Sequence, residues 1–66
     1  MKVRLKTPAW RKIRAADAQG AFERGEMFFS EHDQPVNRTM IPVGATIVIT
    51  CPDREVEFTY NARIIE

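Results

Sequence analysis

A single cysteine, Cys51, rules out any disulfide within the chain. His32 is the only histidine, so no cysteine and histidine cluster of zinc-binding type is present. The three glycines, Gly20, Gly25 and Gly44, fall in no phosphate-cradling pattern. No apolar run approaches the roughly 20 residues of a membrane span. Met1 to Lys6 alternates and holds no apolar stretch of signal-peptide length. Taken with the lone cysteine, this leads us to expect a cytoplasmic protein that makes no membrane contact. The one glycosylation-type sequon, Asn37-Arg38-Thr39, is then a coincidence of spelling.

Sixty-six residues make one small globular domain, residues 1–66. The hydrophobic share of 44% and charged share of 29% are those of a folded chain rather than a disordered tail. A chain of this size buries only about 60% of its unfolded surface. Its stability is expected near 3–5 kcal/mol at most, roughly the ceiling for a core without staples. With no crosslink and no metal, a partner chain is the remaining source of extra stability.

Charge is distributed unevenly. Residues 1–16 carry Lys2, Arg4, Lys6, Arg11, Lys12 and Arg14 and no acid. Of ten basic and nine acidic residues, that leaves four basic and all nine acidic for 17–66, a balance of −5 behind a net charge of +1.

Met1, Val3 and Leu5 alternate with Lys2, Arg4 and Lys6, the period of a half-buried strand with a basic outer face. Thr7-Pro8 has the chemistry of a helix start, Thr7 as N-cap and Pro8 in the first turn. Ala9, Trp10, Ile13, Ala16, Asp17, Gly20 and Ala21 then share one helical arc, which predicts a helix ending at Gly20 or one turn later, with Trp10 in the core. A second reading makes Asp17 the cap of a separate short helix through Arg24. Residues 26–31 predict a strand, 32–35 a turn, and 36–41 a weaker strand. Thr46 to Cys51 is a β-branched run joined by Pro52-Asp53 to a second alternating run, 55–65, and the two predict a hairpin. The fold class expected is α+β: a small twisted antiparallel sheet, or a partly open barrel, of four to five strands with one helix packed on it. Val3, Leu5, Trp10, Ile13, Phe22, Phe29, Ile47, Ile49, Val56, Phe58, Tyr60 and Ile64 are the expected core.

Catalysis has little to work with. Cys51 shares a strand face with Ile47 and Ile49 and is read as a buried structural residue. Glu31, His32 and Asp33 are consecutive and poorly placed to converge on one ion, so they are read as a solvated turn. Glu55 and Glu57 sit beside Arg54 and Arg63 as solvent-facing charges. No metal, cofactor or small-molecule substrate is expected, and the chain is read as a non-enzyme.

Two binding features remain. Phe28, Met40, Val48 and Ile65, with Met27, are apolar residues at expected outward positions, which points to docking on a protein partner or to self-association. This is the leading reading: an accessory subunit, an inhibitor or a small assembly component such as a phage protein. The alternative is a small nucleic-acid-binding domain. Lys2, Arg4 and Lys6 would project about 6.6–7 Å apart along one strand face, near the spacing of successive phosphates, with Arg11 and Arg14 extending the patch. Against it stands a bland account, in which the basic residues neutralise the acidic remainder or merely solubilise the domain.

Overall fold

The structure is a computed structural model that describes residues 1–61. Its elements run β1 (Lys2–Lys6), α1 (Ala15–Glu23), β2 (Phe28–Ser30), β3 (Pro35–Val36), a 3-10 turn (Arg38–Met40), β4 (Thr46–Thr50) and β5 (Glu55–Thr59). One helix packs on a five-stranded sheet of order β3-β2-β1-β4-β5, open at both edges rather than closed into a barrel. This is the α+β class expected from the sequence. The sheet is mixed, however, because β1 and β4 lie parallel while every other pairing is antiparallel. A parallel pair needs a long crossover, and residues 7–45 supply it by carrying α1, β2 and β3 between the two strands.

Register sorts the side chains into two faces. Val3, Ile47 and Phe58 lie in one row, and Leu5, Ile49 and Val56 in the next, all towards the helix. Leu5, Ile47 and Ile49 are almost wholly buried. From α1, Ala15, Ala18, Ala21 and Phe22 face this layer. The alanines let the helix approach closely. Phe22 fills the centre, its ring 5.1 Å from Tyr60, 5.6 Å from Phe58 and 6.4 Å from Phe28. Among the described residues no helix is long and apolar enough to cross a membrane.

The helix begins later than Thr7-Pro8 predicts. Residues 7–14 form an irregular segment, with Arg11 N–H reaching Pro8 O at 3.3 Å as a single turn. The decisive contact is long-range: Asp53 Oδ1, in the turn between β4 and β5, accepts the N–H of Ala15 at 2.9 Å. Arg14 at the N-cap position has no side-chain cap of its own. The second reading of the sequence, a short helix through Arg24, lies closer, although Asp17 sits in the first turn instead of capping it. At the far end Gly25 takes φ +87°, with Gly25 N–H bonded to Phe22 O and Glu26 N–H to Ala21 O. That is a Schellman ending, and Gly20 stays inside the helix.

Other expectations shift with register. Phe28 and Phe29 exchange roles: Phe28 is fully buried, whereas Phe29 pairs with Lys6 and is half-buried on the outer face. The strand expected over 36–41 shrinks to Pro35–Val36 followed by the 3-10 turn. The hairpin of β4 and β5 holds from Thr46 opposite Thr59 to Thr50 opposite Glu55. Its predicted continuation through Ile64 and Ile65 lies outside the described residues.

Candidate functional site

The outer face of the sheet carries Lys2, Arg4 and Lys6 side by side, as the alternation in β1 requires. Each has a carboxylate partner. Lys2 lies 3.9 Å from Glu57 and Arg4 lies 3.9 Å from Glu55, both reaching across β4. Lys6 donates to Asp33 at 2.6 Å. The first two pairs pass on either side of Val48, which is only 2% exposed although it belongs to this outer face. Val48 thus lies buried between two ion pairs. Asp33 stands in the β2–β3 turn with φ +61°, a backbone state that aspartate tolerates, and its carboxylate lies against Lys6. The hydrogen bond and charge of Lys6 hold the Asp33 carboxyl below its ordinary range.

Beyond Lys6 the ladder continues for one bond, Thr7 N–H to Thr50 O at 3.3 Å, and the chain then leaves the sheet. Pro8 is buried and Ile13 is 3% exposed, so the 8–14 segment is pinned at two points. Between those pins Trp10 turns outward. It is 74% exposed and meets Phe29 edge-to-face, centroids 5.3 Å apart and planes at 87°. Under it lies an open hollow of about 320 Å³ walled by Pro8, Ala9, Trp10 and Phe29, with Lys6, Thr7 and Asp33 at the polar side. Arg11 pairs with Glu26, which also accepts from Arg24 at 3.0 Å. Lys12 and Arg14 are exposed, and neither joins an ion pair among the described residues.

The structure thus brings Lys2, Arg4 and Lys6 together, but places Arg11 and Arg14 on an irregular segment instead of a helix face. Phe28 and Val48 are buried and offer no surface. Met40 is 63% exposed on the 3-10 turn, and Ile65 lies outside the described residues. Trp10, Phe29 and Asp33 line the hollow, where the sequence predicts core for the two rings and a turn for Asp33. The signal that marks Trp10 is its setting, Lys6-Thr7-Pro8-Ala9-Trp10-Arg11-Lys12, where an aromatic is interleaved with cations.

Cys51 is 7% exposed, its thiol directed to Ile49 O at 3.9 Å. Burial, with a smaller push from the Asp53 carboxylate, raises the thiol above its ordinary value, the reverse of an activated nucleophile. His32 is exposed in its turn, its backbone N–H bonded to Ser30 Oγ. Among the described residues no three of histidine, cysteine, aspartate and glutamate gather at one point.

Fold and surface define a small α+β domain with an aromatic corner flanked by cations. Compared with known proteins, the chain matches no family model, no curated protein and no solved structure.

Proposed function

We propose that this protein is a non-enzymatic interaction module that docks on a protein partner through the corner formed by Trp10 and Phe29. Exposure of Trp10 is the observation that carries the reading. A tryptophan standing three-quarters in water at the edge of an apolar hollow forgoes the largest burial gain any side chain offers. Tryptophan and arginine are also the residues most enriched among those that dominate interface energies, and Arg11 follows Trp10 directly. A chain this small gains stability from the same contact. Such a module serves as an accessory subunit, an inhibitor or a small component of an assembly.

The nucleic-acid reading draws less support. Of its five cations, Lys2, Arg4, Lys6 and Arg11 already hold carboxylate partners, leaving Arg14 outside any ion pair among the described residues. Phosphates would have to displace those carboxylates.

A photo-crosslinking amino acid placed at position 10, with the same group at exposed Ala16 as control, tests the proposal in cells that make the protein. A discrete protein adduct is expected from position 10 only, competed away by excess unlabelled protein but not by its Trp10→Ala variant. Equal adducts from both positions, or none from position 10, contradict it.

A further inference from the structure

We infer that the partner segment seated at Trp10 is acidic: a stretch of polypeptide presenting one long apolar side chain between carboxylates. The inference rests on the docking reading above and names the chemistry of its occupant. The hollow of about 320 Å³ is open on one side, a shape that admits a protruding side chain of a partner. Its walls, Pro8, Ala9, Trp10 and Phe29, call for an apolar anchor.

Charge decides what surrounds the anchor. Residues 6–14 contain Lys6, Arg11, Lys12 and Arg14 and no acid. Lys6 is matched by Asp33. Arg11 shares the Glu26 carboxylate with Arg24, so one negative charge serves two guanidinium groups. Lys12 and Arg14 join no ion pair among the described residues. The segment that carries Trp10 therefore holds two cations, Lys12 and Arg14, outside any ion pair among the described residues, and a partner's carboxylates complement them.

Two other occupants fit less well. A second copy joined about a two-fold axis would set this basic segment against itself. A nucleic acid presents negative charge at every phosphate, and here it would meet the Asp33 carboxylate at the hollow. A polypeptide can place an N–H or a neutral residue at that point and its acids elsewhere.

Trp10 is the only tryptophan, so its fluorescence reports on this corner alone. The probes are short acetylated peptides with a central leucine flanked by glutamate and serine, by glutamine and serine, or by lysine and serine. A glutamate–serine peptide with central alanine and a single-stranded oligothymidine complete the set. At low salt the acidic leucine peptide is expected to perturb Trp10 at a concentration about tenfold below the glutamine peptide, with the lysine peptide weakest. The alanine version should bind more weakly than its leucine counterpart. The double variant Lys12→Glu, Arg14→Glu, both exposed positions, should keep the wild-type melting temperature and lose the acidic preference. Equal response to acidic and glutamine peptides, tighter binding of oligothymidine, or no response to any peptide overturns the inference. Docking at Trp10 is judged separately by the position-10 adduct, which does not depend on the partner's charge.

Discussion

Asp53 Oδ1, in the turn between β4 and β5, lies 2.9 Å from the backbone nitrogen of Ala15, the first residue of α1. One carboxylate thus joins the hairpin to the helix across 38 positions of sequence. It supplies the cap that Arg14 lacks, and it fixes where the irregular 8–14 segment must end. Removing it should loosen the segment that presents Trp10. Asp53→Ala is expected to lower the melting temperature by about 5 °C, the scale of one lost cap in a domain of this size. Calorimetry checks this, and an unchanged transition would mean the helix start is held by packing alone.

The same carboxylate sets an acid limit. The Ala15 N–H holds the Asp53 carboxyl below its ordinary value near 3.8, and Lys6 does the same for Asp33. A group with a lowered folded pKa stabilises fully above its unfolded pKa and loses that contribution as pH falls through the folded one. Stability from these two groups should therefore be level between pH 7 and 5 and decline below about pH 3.8. Asp53→Asn keeps an acceptor for Ala15 but cannot titrate, so its decline should be shallower. Denaturant midpoints measured along the pH series decide this, and a decline beginning above pH 5 would place its cause in other groups.

Glycine substitutions inside α1 and just past its C-terminal cap should act in opposite directions. Gly25 adopts φ +87° in the Schellman ending, where a side chain is strained, and Gly25→Ala should cost about 1 kcal/mol. Gly20 lies in the helix, and an added Cβ meets only the flexible end of Arg24 at 3.2 Å. Gly20→Ala should therefore stabilise by about 0.5–1 kcal/mol. Urea titration of both variants tests the pair, and effects of the same sign would contradict the assigned helix boundaries.

Phe22 is fully buried between Phe28, Phe58 and Tyr60. Phe22→Ala should cost about 3–5 kcal/mol, comparable with the whole stability expected of an unstapled domain of this length. Far-ultraviolet circular dichroism should show the variant substantially unfolded at 25 °C. A cooperative transition near that of the native chain would show that the core does not centre on this ring.

Strands β1 and β5 were legible because their alternation is strict, so a one-residue slip would expose a whole apolar set, and β4 because its β-branched run suits a strand buried on both faces. Phe28 and Phe29 were misassigned because Met27-Phe28-Phe29 offers no alternation, and pairing with Lys6 and Val36 decides which ring turns inward. The helix start was misplaced because the local signal, Thr7-Pro8, competes with a cap that arrives from Asp53. Placing Trp10 on a helix put it in the core by angle. Once residues 8–14 leave the helix, that angular argument no longer applies and the ring faces water. The ion pairs of Lys2, Arg4 and Lys6 depend on which acids the topology sets beside β1, which composition alone does not reveal.

The protein labelled with 5-fluorotryptophan carries one fluorine, at Trp10, and the resonance of that atom is the most direct measure of the site. In the purified chain it should be a single narrow line that shifts between light and heavy water, as a solvated ring requires. In extract of cells that make the protein, it should move and broaden and lose its solvent isotope shift, while an Asp53→Asn background leaves that change intact. A line that stays narrow and solvent-sensitive in the extract would contradict the assignment of Trp10 as the contact residue.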